Sequence, residues 1–107
     1  MSASPEQKAR DEAMFRDVND TFVERQPVAL DAPYLVYCEC PDEACVEEIV
    51  LTVGTYERVR SQPRWFVVKP GHCEPDVERV VEAHDDYWIV EKHGVAGEVA
   101  EETDPRG

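Results

Sequence analysis

Three cysteines stand close together in the chain, Cys38, Cys40 and Cys45, in the spacing C-x-C-x(4)-C. A second group, Gly71-His72-Cys73, follows a Lys69-Pro70 step further on. This pattern constrains the fold more than any other feature. The chain has 107 residues, of which only 8% are aromatic, so large core anchors such as Trp65, Phe66 and Trp88 are few. Small domains with a thin core often need a covalent or metal staple. Two disulfides would serve in an exported protein. The start of the chain, MSASPEQKAR, carries no apolar signal region, so the expectation is a cytoplasmic protein with reduced thiols. In that setting a cysteine cluster points to a metal site or a redox device.

The spacing suits metal. Structural zinc takes four tetrahedral nitrogen or sulfur ligands. Side chains two apart on a strand share a face, so Cys38 and Cys40 point the same way. A loop led by Pro41 can fold Cys45 back toward them, and the turn at Pro70-Gly71 can deliver a fourth ligand. Adjacent residues rarely both reach one ion, which leaves the fourth place between His72 and Cys73. The spare side chain either packs or acts as a redox-sensitive thiol.

Charge narrows the function classes. There are 24 acidic and 11 basic residues, a formal net charge of −13, and every third of the chain is net acidic. Direct binding to a nucleic-acid backbone rests on clustered Lys and Arg, and only Arg58, Arg60 and Arg64 lie near one another. No apolar run approaches the roughly 18 residues of a membrane span. There is no nucleophile elbow, phosphate-cradling glycine loop or HExxH motif. Glu39 and Glu74 flank the candidate ligands, but a catalytic zinc keeps an open position, and four protein ligands close it. His84, His93, Asp85-Asp86 and Glu101-Glu102 read as surface groups.

Ser4-Pro5-Glu6-Gln7 reads as a capped helix start. Met14, Phe15, Val18 and Phe22 recur at helical spacing as one apolar stripe, with Arg10, Asp11, Glu12 and Asp17 facing water. The residue before Pro27 leaves helical geometry, so the helix ends near Arg25. Tyr34 to Cys40 is rich in β-branched and aromatic residues and reads as a strand, and Val46 to Leu51 resumes an extended pattern. Thr52 caps a short helix through Tyr56 and Val59. Arg64 to Val68 is a strand closed by a Lys69-Pro70-Gly71 turn. Glu78 to Val81 and Tyr87 to Val90 form a hairpin around His84-Asp85-Asp86.

Several of these stretches resemble a group of small actinobacterial-type proteins. The likeness rests on Met14 to Asn19, on Cys38-Glu39-Cys40 with Cys45, and on Leu51-Thr52 leading to Tyr56-Glu57-Arg58-Val59-Arg60. It continues through Phe66 to His72, Glu78 to Glu82, and Val90-Glu91-Lys92. In that group an acidic residue typically follows the histidine, where this chain has Cys73, and a glycine stands where this chain has Pro41. The resemblance implies a zinc-type site of Cys38, Cys40, Cys45 and His72, with Cys73 as the extra cysteine and alternative fourth ligand. It implies no particular activity.

The expectation is therefore an α+β fold: an N-terminal helix, a small antiparallel sheet with a hairpin and one short helix, stapled by Zn2+. A single domain spans residues 1–93, with the helix at about 5–25 and the metal-binding core at about 34–93. An acidic, mobile tail covers 94–107. The expected function is that of a cytoplasmic zinc-binding protein without enzymatic activity, a regulatory or protein–protein interaction module. Its partner is another protein or a second copy, met through the N-terminal helix, with no direct nucleic acid and no membrane. The alternatives are a thiol/zinc redox sensor and an acidic nucleic-acid mimic that binds a basic protein.

Overall fold

Alternation of side chains sets the first sheet. In β1 (Pro33–Tyr37) and β2 (Glu48–Thr52), the register pairs Tyr34 with Leu51 and Val36 with Ile49. These four side chains point inward and are buried, while the Leu35–Val50 pair between them faces out. The computed structural model describes residues 12–19, 29–42 and 44–105. It has an α+β fold with three helices and two small antiparallel sheets, rather than one sheet: β1–β2, and a second with strand order β3-β5-β4. The strands of the second sheet are β3 (Trp65–Val68), β4 (Glu78–Ala83) and β5 (Trp88–Lys92). The β4–β5 hairpin expected around His84 forms, with a register shift between Val80 and Glu82.

Helix α1 covers residues 12–19 within the described part, and the remainder of the 5–25 span expected for it lies outside the described residues. Helix α2 (Val53–Arg60) follows β2 directly, and the Thr52 hydroxyl caps it by accepting from the Thr55 N–H. Helix α3 (Gly94–Glu102) replaces the mobile tail expected from residue 94. Its acidic composition and two glycines argue against a helix. The decisive pattern is Ala96, Val99 and Ala100, spaced to bury one side. Gly97 lies on that side too, under the Arg64 guanidinium: a Cβ there would come within 2.4 Å of an Arg64 nitrogen. The Arg64 side chain then reaches Glu101 at 2.6 Å. Glycine leaves room for that cation, and a side chain at residue 97 would make the guanidinium move.

A single apolar cluster links the two sheets. Tyr34, Val36, Ile49 and Leu51 of the first meet Phe66, Val67, Val68 and Val90 of the second, with Cys38, Cys40 and Cys45 in the same cluster. A smaller group of Val77, Ala96 and Val99 seats α3.

Helix α1 docks by the face opposite to the one its apolar stripe suggests. Glu12, Ala13, Arg16 and Asn19 are buried, whereas Met14 is 52% and Val18 38% exposed. Glu12, expected to face water, forms an ion pair with Lys92. Phe22 lies outside the described residues. The reason is complementarity in the body of the domain. Arg16 donates to the carbonyls of Pro63 (2.6 Å) and Ala100 (2.9 Å) and lies 4.4 Å from the centre of the Phe66 ring. A buried polar group is tolerated where such partners await it.

Candidate metal centre

The long connection between β1 and β2 carries the three cysteines, and the body of the fold holds it at several points. Past the end of β1, the Cys38 N–H still donates to the Glu47 carbonyl at 2.8 Å, extending the ladder. The next N–H, that of Glu39, turns to the second sheet and donates to the Val67 carbonyl, also at 2.8 Å. Asp42 then reverses the chain: its side chain accepts from the Ala44 N–H at 2.9 Å, and its carbonyl accepts from the Cys45 N–H at 2.9 Å. That turn returns Cys45 to the cluster. Across the sheet junction, β3 ends in a turn closed by the His72 N–H on the Lys69 carbonyl at 3.0 Å. Gly71 there has φ +87, the left-handed region that favours glycine.

Together these turns gather Cys38, Cys40, Cys45 and His72. Their sulfur and ring-nitrogen atoms all lie within 4.8 Å of one another, a group that can hold a metal ion. His72 Nδ1 faces the sulfurs, 3.6 Å from Cys38 Sγ and 3.7 Å from Cys45 Sγ. The three cysteines are buried and His72 is half-buried. Cys73 points elsewhere, its Sγ 3.9 Å from the Glu78 carbonyl. Burial and the carboxylates of Glu78 and Glu74 push its thiol up from the ordinary value.

The electrostatics single out Cys40 as the thiolate of the metal-free cluster, while Cys38 and Cys45 are pushed up. A hydrogen bond from Cys38 holds the Cys40 thiol down to about 5, and the same bond, with burial, pushes Cys38 up. Burial also pushes Cys45 up, and backbone N–H groups pull against such shifts at each sulfur: that of Lys69 donates to Cys38 Sγ at 3.2 Å, that of Asp42 acts on Cys40, and that of Glu47 on Cys45. Such donors stabilise sulfur in its charged form, the form that binds metal.

Glu47 is the residue that spacing did not reveal. Its carboxylate lies 3.1 Å from His72 Nε2, on the far side of the ring from the sulfurs. A ligand histidine that gives its second N–H to a carboxylate has its tautomer and ring orientation fixed. The available signal was the alternation of β2 extended backward, which makes Glu47 the ladder partner of Cys38.

Glu39 also differs from its expected role. It is fully buried and faces away from the cysteines on either side of it. Its carboxylate accepts from the Val67 N–H (3.0 Å), Tyr56 Oη (2.9 Å) and Asn19 Nδ2 (2.8 Å). Burial pushes this carboxyl above its ordinary value, and the three donors pull against that. It knits β3, α2 and α1 to the ligand segment. Glu74 and Asp42 line a shallow pocket of about 280 Å3 beside Cys40, His72 and Cys73. Among the described residues, no helix is long and apolar enough to cross a membrane. No family model matches the chain, and neither a curated protein nor a solved structure matches it.

Proposed function

We propose that this protein is a cytoplasmic zinc-binding module without enzymatic activity, in which one Zn2+ joins Cys38, Cys40, Cys45 and His72 and fixes a surface for a protein partner. The observation that carries the reading is the spacing of the ligand atoms. A tetrahedral ion with Zn–S near 2.3 Å and Zn–N near 2.0–2.1 Å has sulfur–nitrogen edges of about 3.6 Å. The distances of 3.6 and 3.7 Å from His72 Nδ1 to two sulfurs agree with that edge. Three soft thiolates with one imidazole suit zinc in tetrahedral geometry. Four protein ligands complete the shell, so no position is left for a reacting water, which supports a structural ion. The redox reading is less well supported, because Cys73 stands outside the cluster.

Elemental analysis of the purified full-length chain, paired with thiol counting after denaturation, tests this directly. One zinc per chain and four titratable thiols are expected. A metal-free protein with two disulfides would overturn the proposal. Replacing Cys73 with Ser should leave the zinc content at one, whereas His72→Ala should lower it.

A further inference from the structure

We propose that occupancy of the metal site governs the docking of α1, so that the chain lets go of this helix when its metal is withdrawn. The inference rests on the metal-site reading above and concerns the regulation of that site.

Helix α1 is held by directional polar contacts rather than by an apolar stripe. Its inward side chains are Glu12, Arg16 and Asn19 with the small Ala13, and its Met14 and Val18 face out. Asn19 anchors the end nearer the metal. Its amide nitrogen donates to the Tyr37 carbonyl at 3.0 Å and to Glu39 at 2.8 Å, and its amide oxygen accepts from the Tyr37 N–H at 3.0 Å. The Tyr34 hydroxyl donates to the Asn19 carbonyl at 3.1 Å.

All of these partners lie on β1 and its extension, the stretch that carries Cys38 and Cys40. Alternation along this stretch sends the two cysteines to one side and Glu39 to the other. The metal would therefore fix one side of a strand whose opposite side grips α1. With the ion bound, Cys38 and Cys40 are tied to Cys45 and His72, so the backbone at Glu39 has one position. Without it, the ligand loop and the Gly71–His72 turn lose their common anchor, and the geometry that Asn19 needs is left to the hydrogen bonds that tie residues 38 and 39 to Glu47 and Val67. Hydrogen bonds weaken steeply with poor alignment, so a small shift of residues 37–39 is enough to break the grip. Most helical stability comes from packing on the rest of the fold, so a released α1 loses what holds it helical. Release therefore appears as local unfolding.

Coupling of two sites is reciprocal. Metal must strengthen α1 docking by the same factor by which docking strengthens metal binding. The experiment follows both directions on the full chain. Hydrogen exchange is measured by mass spectrometry with zinc bound and after chelation under reducing conditions, with metal content assayed on the same samples. Peptides covering residues 12–19 should exchange roughly 5- to 150-fold faster without zinc, the range of ordinary site–site coupling, while β5 keeps its protection. In a competition with a chromophoric chelator, Asn19→Ala should weaken zinc binding by a factor in that range, and Val18→Ala should not. Glu39→Gln, which keeps the shape but removes the charge that Asn19 meets, should speed exchange of α1 with zinc still bound.

Unchanged exchange of residues 12–19 in a chain shown to have lost its zinc would overturn the inference while leaving the metal site intact. Simultaneous loss of protection in α1 and β5 would also overturn it, because the helix would not then be released on its own. So would an Asn19→Ala variant that binds zinc like the parent. A chain that takes up no zinc would instead remove the metal-site reading on which the inference stands.

Discussion

The candidate metal centre, at the junction of the two sheets, and the Lys92 cluster, between the second sheet and α1, both bury polar atoms, and they differ in where the neutralising charge comes from. At Lys92 the charge is internal. The ammonium is fully buried and pairs with Glu12 of α1 and Glu78 of β4, and it lies 5.0 Å from the centre of the Phe66 ring. Burial pulls this lysine down from its ordinary value, so its charge depends on the two carboxylates. At the cysteines the sulfurs meet neutral partners: backbone N–H groups, one another and the His72 ring. An ion from outside would take there the place that Lys92 takes in its own cluster. One site is complete within the sequence, and the other would be completed by an ion.

Removing Lys92 is the strongest way to break this comparison. Lys92→Ala leaves Glu12 and Glu78 buried without a cation. Truncating one partner of such a group costs about 3–5 kcal/mol, which should appear as a fall in urea midpoint at saturating zinc. Replacing all three residues with apolar ones of similar volume should recover most of that loss, since well-packed apolar replacements of buried ion clusters are often neutral or stabilising. A single Lys92→Ala variant as stable as the parent would mean that the two carboxylates take up protons or water at little cost. The internal site would then not depend on its cation.

The two clusters were unequally legible in the sequence. Cys38, Cys40, Cys45 and His72 could be gathered from spacing, turn residues and resemblance, because metal ligands are few in type and cysteines are scarce. The β-branched runs at Tyr34–Tyr37 and Trp65–Val68, the Thr52 cap and the β4–β5 hairpin could be read for similar local reasons. The Lys92 cluster could not. Glu12, Glu78 and Lys92 look like any solvated charges, and only the tertiary fold brings them together. That fold also turned α1 over: the periodicity of Met14, Phe15 and Val18 marks an apolar face, but the body of the domain offers carbonyls and counter-charges to Arg16, Asn19 and Glu12 instead. Helix α3 was hidden by its glycines, one of which makes room for the Arg64 guanidinium. Pairwise complementarity over long range is what local pattern does not carry.

Glu47 tests whether the metal centre is organised beyond its ligands. Its carboxylate is more than half exposed and meets the outer nitrogen of His72. Outer partners of ligand histidines typically contribute 10–100-fold in metal affinity. Glu47→Gln should therefore weaken zinc binding by about tenfold in a chelator competition, at the lower end because of solvent. The unfolding midpoint of the metal-free chain should not move. A loss of stability in the absence of zinc would instead assign Glu47 to β2, as an ordinary strand residue.

The smallest effect belongs to a charge pair that is neither buried nor tied to metal, and it sets the scale for the other two. Arg58 of α2 grips Glu82 of β4 through two nitrogens, at 2.5 and 2.9 Å, and His84 lies 2.9 Å from the same carboxylate. The Arg58 guanidinium, then His84, hold Glu82 down to about 2. A carboxyl whose value is depressed on folding contributes stability that is present above its unfolded value, 4.5 here, and is lost as pH falls through about 2. The Arg58 side chain is 47% exposed, and solvent-exposed pairs contribute only about 0.2–1 kcal/mol. Glu82→Gln should therefore lower stability by that small amount at pH 7, and the gap from the parent should close between pH 4.5 and about 2. Urea unfolding of both chains across this range, each at the same metal content, reads the difference directly. A gap of several kcal/mol would mean that a bidentate pair at the surface rivals the buried Lys92 cluster, and burial would then not be what separates them.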